Sequence, residues 1–335
     1  MRAGMARIYR VGMKHKNAKL ADKYYTKPEV ARLCEGLFYR FLPEDAQIIE
    51  PSAGDGSFVF GAAREVIAFD LYPEADTIQE HDFLKDDLGE KIDLSRPTVF
   101  LGNPPFGKRN ALAIEFINKA LTYGNLVGFI VPIGFRKWAT QKQINPAAKL
   151  VLDEPLPEDA FTFRGEPYSV RCTFQVWSLD KRYVDFRIKS KPPTAHPDFE
   201  MWQYNATPQA KRHFEQPWTF AVPRQGYSNY SDWISRNSEC DPKKHWMLLR
   251  PANADVEARL QNIDFEALAR GNCTVPGFGK ADLVTAYEAV RKREDRQARW
   301  QRRKERWKDH PGFFPAPTQA QSQAAGNDCE VRDAA

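Results

Sequence analysis

The chain has 335 residues, 42% hydrophobic and 28% charged, with 49 Lys and Arg against 44 Asp and Glu for a formal net charge of +5. A chain of that length can bury roughly three quarters of its unfolded surface, enough for one sizeable domain and a smaller one. The mild basicity permits a polyanionic partner without requiring one, and no apolar run is long enough to span a bilayer. Cys34, Cys172, Cys240, Cys273 and Cys329 are scattered without paired spacing. A reducing cytoplasm explains that pattern better than a disulfide framework. Cys240 and His245 have no second ligand pair nearby, so no metal site is expected.

Residues 1–22 carry Arg2, Arg7, Arg10, Lys14, Lys16 and Lys19 without the apolar core of a signal peptide. They read as a flexible arm, either brushing phosphate or simply solvated. A helical run through Val30, Leu33, Cys34 and Leu37 follows. Gln47-Ile48-Ile49-Glu50 reads as a short buried strand, and Pro51 to Phe58 as a small-residue turn opening a helix. Gly54 and Gly56 let the backbone bend tightly and a ligand approach. The strand Val66 to Phe69 ends in Asp70, near the distance beyond Glu50 at which a nucleotide-binding unit places its ribose-binding acid. No lysine follows the turn as in a P-loop. An acid before the turn would repel a pyrophosphate but pair with an ammonium group. That combination favours S-adenosylmethionine, its amino-acid end near the turn and its ribose on Asp70.

The apolar run Thr98-Val99-Phe100-Leu101-Gly102 leads into Asn103-Pro104-Pro105-Phe106. Two prolines in series fix the backbone and keep Asn103 out of helical geometry. The resulting turn offers an amide oxygen, free carbonyls and an aromatic face. The Asn103 side-chain oxygen and the Pro104 carbonyl can each accept one N–H of a planar amino-bearing base, with Phe106 stacked on the ring. The blander reading is a proline-stiffened loop whose Phe106 plugs the core. A helix with Leu112, Ile114, Phe116, Ile117 and Leu121 on its apolar face then precedes the strands Leu126–Pro132 and Cys172–Trp177. Short apolar runs alternating with helical stretches from about residue 47 to 178 indicate a parallel sheet covered by helices.

Taken in order, these motifs resemble the amino-methylating S-adenosylmethionine-dependent methyltransferases, particularly adenine-specific DNA methyltransferases with a C-terminal recognition region. The resemblance covers roughly the first 180 residues. It implies an α/β, Rossmann-like, seven-stranded class I fold, mostly parallel with an antiparallel closing strand. Tyr24-Tyr25-Thr26-Lys27-Pro28 is similar to the family's N-terminal cofactor motif, although Lys27 separates a threonine and proline that are often adjacent. On this resemblance the cofactor contacts are Tyr25, Thr26, Pro28, Glu50, Pro51, Ala53, Gly54, Gly56, Asp70, Leu71, Asp82, Phe83 and Asn103. Asp82 and Phe83 would hold the cofactor's adenine. Asn103, Pro104, Pro105 and Phe106 match the catalytic loop. A second aromatic wall for the target base would come from Phe163 or Tyr168, with Phe163 preferred.

Lys189-Ser190-Lys191-Pro192-Pro193 reads as a linker. Beyond it, Trp202, Tyr204, Lys211, Arg212, Trp218, Arg224, Tyr227, Tyr230, Trp233, Arg236, Lys243, Lys244 and Trp246 interleave aromatics and cations. Such interleaving suits nucleic acid, or else the aromatics form the core of an irregular small domain. Lys108, Arg109, Arg224, Tyr227, Lys243 and Lys244 are the candidate nucleic-acid contacts. Arg291 to Lys308, with Trp300, Arg306 and Trp307, is a charged helix that lies along phosphate or is solvated, and the composition after His310 reads as disordered. The expected division is 1–22 arm, 23–188 methyltransferase core, 189–290 recognition region, and 291–335 basic helix and tail. DNA is the expected partner, without membrane, and with a monomer acting in catalysis.

Competing chemistries sort by residue type. Cytosine ring methylation needs a Pro-Cys pair that this chain lacks. Cytosine amino methylation usually goes with a Ser-Pro-Pro loop. RNA adenine or guanine methylation, protein glutamine methylation and a catalytically dead nucleic-acid-binding protein remain as alternatives. The C-terminal segment favours DNA. Intact Glu50, Asp70 and Asn103 count against a dead core.

Overall fold

The computed structural model describes residues 24–163, 165–235, 240–271 and 275–308, with side chains to 305 in the last stretch. The expected arm over 1–22, the tail after His310, Arg236, Cys273, Cys329 and the side chains of Arg306 and Trp307 lie outside the described residues. In chain order the first unit contains β1 (Tyr25–Thr26), α1 (Pro28–Phe38), β2 (Gln47–Glu50), β3 (Val66–Asp70), β4 (Gln79–Glu80) and β5 (Thr98–Gly102). It continues with α2 (Ala111–Tyr123), β6 (Leu126–Pro132), α3 (Trp138–Gln141), β7 (Lys149–Pro155), β8 (Phe161–Phe163), β9 (Glu166–Tyr168) and β10 (Cys172–Ser178).

Seven of these strands form one sheet in the order β4-β3-β2-β5-β6-β10-β7. β10 alone opposes the rest, antiparallel to both β6 and β7. Residues of β5 and β6 are buried throughout, as strands covered on both faces require. Their side chains alternate between two cores. Phe100, Val127 and Phe129 join the α2 side with Ile117 and Leu121. Val99, Leu101 and Ile130 join the α1 side with Cys34 and Phe38. Each such fully buried side chain contributes about 1.5–3 kcal/mol. Two expectations change here. Residues 54–61 form consecutive turns instead of opening a helix, because Gly54, Gly56 and Gly61 take φ of 55°, 91° and 86°. The crossovers between β2 and β3 and between β3 and β5 likewise carry turns in place of helices.

A separate three-stranded sheet, β1-β8-β9, holds Tyr25 opposite Thr162 and Thr26 opposite Phe161. After β10, residues 179–198 form neither helix nor strand, though Phe186 N still donates to Leu150 O of β7. The second unit comprises β11 (Phe199–Tyr204), β12 (Phe220–Gln225), β13 (Ile234–Ser235), β14 (His245–Pro251), α4 (Ala254–Gln261), α5 (Phe265–Ala269) and α6 (Lys280–Lys308). Its sheet is antiparallel in the order β11-β14-β12-β13, with α4, α5 and the start of α6 packed on it through Leu260, Phe265 and Tyr287. The boundary expected at residue 290 falls inside α6, because Leu283, Val284, Tyr287 and Val290 all face this core.

Tyr204, Trp218, Tyr230 and Trp246 are buried here, as the small-core reading of these aromatics requires. Arg224 corrects a further expectation. It is 9% exposed, and its guanidinium donates to Phe278 O at 3.0 Å and Asn205 Oδ1 at 2.8 Å. Its donors tie β12 to the segment leading into α6 and to the residue after β11, leaving it no role on a phosphate surface. Arg224→Ala is therefore expected to destabilise this unit by about 2–4 kcal/mol, because the buried Phe278 carbonyl and the half-buried Asn205 amide lose a charged donor. Denaturant unfolding with no shift in midpoint would remove that structural role.

Candidate active site

Because the sheet is mostly parallel, the carboxyl ends of β2, β3 and β5 lie along one edge, and they deliver Glu50, Asp70 and Asn103 there. β3 lies on one side of β2 and β5 on the other, so this edge is a topological switch point, where open α/β sheets form their ligand crevice. A cavity of about 340 Å³ opens at that point. Tyr25, Pro51, Gly54, Asp70, Leu71, Asp82, Phe83 and Asn103 to Phe106 line it.

The remaining expected cofactor residues stand behind or outside the cavity. Pro28 is exposed and begins α1, where a missing N–H costs nothing. Ala53 packs with Ala68 and Ile78. Gly56 supplies turn geometry, since a Cβ there would overlap the Phe60 ring. Lys27 points to Asp159 at 2.7 Å, while buried Thr26 turns inward to Asn103. Tyr24, Ser52, Tyr72 and His81 line the cavity without having been assigned contacts from the sequence.

Asn103 is held from both sides of its donor group. Its Nδ2 donates to Tyr24 O at 3.3 Å and Thr26 Oγ1 at 3.2 Å. Its Oδ1 is buried without a hydrogen-bond partner among the described residues. The pair of bonds to the β1 segment fixes which way the amide faces, so the acceptor and not the donor is left available. Phe106 is half-buried against the α1-side core and presents to the cavity. Immediately after it, Gly107, Arg109 and Asn110 take φ of 66°, 55° and 68°, a tight reversal that leaves Lys108 and Arg109 exposed beside the loop.

Glu50 is fully buried. Its Oε1 accepts from Ser52 N at 3.1 Å and lies 3.2 Å from Ser52 Oγ, while Oε2 has no partner among the described residues. Burial pushes the carboxyl up to about 8, opposed by the Ser52 hydrogen bonds. Gly102 is required beside it, because a Cβ there would collide with the carboxylate. Asp70 accepts Gly54 N on Oδ2 at 2.8 Å and Tyr72 N on Oδ1 at 2.7 Å. It thus pins the glycine turn to the end of β3. The His81 imidazole is buried, its Nε2 lacks a partner among the described residues, and burial lowers its pKa, so it is neutral at pH 7. The unsatisfied Asn103 amide oxygen and His81 imidazole nitrogen belong to residues that line one largely apolar cavity, and the unsatisfied Glu50 acid is buried behind that lining, a set that fits a ligand carrying an ammonium, hydroxyls and an aromatic base.

Phe163 does not line the cavity. It tilts against Tyr24 and Tyr168, and Tyr24 and Tyr168 stack at 4.6 Å with 12° between their planes. Both sequence candidates for an aromatic wall therefore meet at Tyr24, which lines the cavity just before β1 of the small sheet. Lys243 and Lys244 are exposed, with Lys244 Nζ 5.2 Å above the half-buried Tyr227 ring. Among the described residues no group of three His, Cys, Asp or Glu side chains could hold a metal ion. No helix there is long and apolar enough to cross a membrane.

No protein-family model and no curated protein matches the sequence. Solved structures do resemble it. A protein described as a modification subunit of a type I restriction enzyme from Vibrio vulnificus YJ016 is 13% identical over 53% of this chain and 49% of that chain, with a TM-score of 0.36. The 23S rRNA methyltransferase ErmE is 13% identical over 48% of this chain and 71% of that chain, at a TM-score of 0.35. The type IIL restriction-modification enzyme MmeI, solved in complex with DNA, is 8% identical over 75% of this chain and 62% of that chain, at a TM-score of 0.39. The chain therefore spans about half the length of the first of these. On its own strand order, with one antiparallel strand in an otherwise parallel sheet of seven, the chain has a class I methyltransferase-like fold.

Proposed function

We propose that this protein transfers a methyl group from S-adenosylmethionine to the exocyclic amino group of adenine in DNA. The observation that carries this reading is the Asn103 amide. Both tie points of its Nδ2 are internal, its buried Oδ1 has no partner among the described residues, and Pro104 and Phe106 line the same cavity.

The adenine amino group is a poor nucleophile because its lone pair is delocalised into the ring. Asn103 Oδ1 and Pro104 O would take its two N–H bonds, favour pyramidalisation and aim the lone pair. Phe106 would stack on the base after it leaves the duplex. S-adenosylmethionine, when bound, supplies a methyl already activated on sulfonium. Positioning and a fixed acceptor then suffice without a strong general base. Glu50 Oε2, without a partner among the described residues, suits the cofactor's ammonium, and the Asp70 carboxylate at the end of β3 would meet its ribose hydroxyls. Asp82 and Phe83 would hold the cofactor's adenine. Exposed Lys108 and Arg109 flank the loop where phosphate would pass. Lys243 and Lys244 would add contacts from the second unit, in keeping with its assignment as the recognition region.

The test is single-turnover transfer of labelled methyl to adenine-containing DNA, with RNA and protein in parallel. Label in DNA at adenine N6 is expected. Label in RNA alone would reassign the substrate, and cofactor binding with no transfer would leave a nucleic-acid-binding protein with a dead core. Asp70→Ala should weaken cofactor binding by about one to two decades, the scale of lost charge-assisted bonds. It should also lower thermal stability, because Gly54 N and Tyr72 N lose their acceptor. Calorimetry showing unchanged affinity would remove Asp70 from the cofactor site.

A further inference from the structure

α6 divides into two parts of different character. Leu283, Val284, Tyr287 and Val290 bury its first turns in the second core, whereas from residue 291 to 305 nearly every side chain is exposed. The projecting part is about 22 Å long at helical rise. It carries eight Lys and Arg against three Asp and Glu, a surplus as large as the +5 of the whole chain.

One strip of this helix is purely basic. At about 100° per residue, Lys292, Arg296, Arg299 and Arg303 recur at i, i+4, i+7 and i+11 within an arc of roughly 60°, with Trp300 and Lys304 on its flank. That arc lies opposite the side holding Leu283, Tyr287 and Val290, so it faces away from the unit. Glu294, which bonds Arg259 of α4 at 2.6 Å, and Glu305 lie on the far side, while Asp295 and Glu288 border the arc, Glu288 being bonded to His196 at 2.7 Å and Arg291 at 2.9 Å. Trp300 is 54% exposed beneath Lys304 Nζ, 5.1 Å from its ring.

We propose that this outward face of α6 is a docking surface for duplex DNA, engaging phosphates that flank the target and not the target base. The inference rests on the nucleic-acid reading above. A protein partner would need several apolar anchors and a membrane surface an apolar stripe, yet Trp300 is the one large apolar side chain described on this face. The major groove of B-form DNA admits a helix, while that of A-form RNA is too deep and narrow, which favours DNA over duplex RNA. The base of α6 is fixed near the catalytic edge, since Asp282 lies 3.7 Å from Lys137, just beyond the end of β6. The projecting part begins about 13 Å further along the helix axis, suited to flanking duplex.

The test uses the full chain with Lys292→Gln, Arg296→Gln and Arg299→Gln combined, changes that retain good helix formers. Binding to a duplex of about 30 base pairs, roughly three helical turns, is followed by anisotropy. Between about 50 and 200 mM salt, the slope of log affinity against log salt should fall by roughly 2–3, near 0.9 for each phosphate that is no longer neutralised. Affinity at the low-salt end should drop at least about ten-fold, with S-adenosylmethionine affinity unchanged. The charge-keeping set Lys292→Arg, Arg296→Lys and Arg299→Lys should bind like the parent. If the neutral set loses helix content by circular dichroism, Arg299→Glu alone reads the same slope, expected to fall by about one. Equal slopes and affinities in a properly helical variant overturn the proposal, as does a parent that binds no duplex DNA or a weakening confined to hairpin RNA. Binding is read without methyl transfer. An inactive protein with charge-sensitive binding would therefore sink the catalytic reading and keep this one, and active protein with an unchanged slope would do the reverse.

Discussion

Asn103→Ala is expected to lower the single-turnover methylation rate on adenine-containing DNA by at least about 100-fold, the usual scale for losing one preorganised transition-state hydrogen bond. The change removes the buried Oδ1 and leaves Pro104, Pro105 and Phe106 in place. Phosphate contacts dominate DNA affinity, so that affinity should fall little. Cofactor affinity should fall much less than the rate, because the charged groups assigned to the cofactor, Glu50 and Asp70, hang from β2 and β3 and not from this loop. Asn103 additionally ties the loop to Tyr24 O and Thr26 Oγ1, and its removal should cost about 1–2 kcal/mol of stability. Rates are therefore to be compared well below the unfolding transition of the variant. Phe106→Ala separates the two functions of the loop, since it should weaken capture of the extruded base by about 1–3 kcal/mol. A normal rate with Asn103→Ala would return the loop to the role of a proline-stiffened core plug.

The residues that could be read from the sequence are those at strand ends. Leu126–Pro132 and Thr98–Gly102 were legible because strands buried on both faces give unbroken apolar runs. Glu50, Asp70 and Asn103 were legible because such runs stop at them, and a mostly parallel sheet places those stops on one edge. What failed had local signals that tertiary structure overrode. The stretch after Glu50 looks like a helix start, yet three left-handed glycines keep it in turns. Arg224 looks like one cation among aromatics, but in β12 its side chain meets Phe278, in the segment leading into α6, a contact without any sequence signature. The Tyr24–Tyr168 stack joins residues far apart in the chain, so no spacing rule could find it. His81 is a lone histidine, and only its burial beside the cavity marks it.

Glu50→Gln should change both stability and cofactor binding, in opposite directions. Burial raises the Glu50 carboxyl from 4.5 to about 8. The folded protein therefore holds this proton more tightly than the unfolded chain does. For this group, stability is fully present below about pH 4.5 and is lost as pH rises through about 8. Glutamine cannot ionise, so the variant's unfolding midpoint should fall less than the parent's between about pH 6 and 9. The cofactor responds in the other sense. An ammonium facing Oε2 needs the carboxylate, so binding to the parent must expel the Glu50 proton and should tighten from about pH 6 towards 8. Above that range the ligand's own α-amino group, with a pKa near 8, loses its charge and affinity should decline. Glu50→Gln should bind S-adenosylmethionine about one to two decades more weakly, the scale of a missing charged hydrogen bond, and should lack the rise with pH on the acidic side. Calorimetry near pH 6.5 in buffers of different ionisation enthalpy should detect close to one proton released by the parent and about none by the variant. If the parent releases no proton and binds equally well across this range, Glu50 does not meet the ammonium, and the buried carboxyl serves only to hold Ser52 and the turn that follows β2.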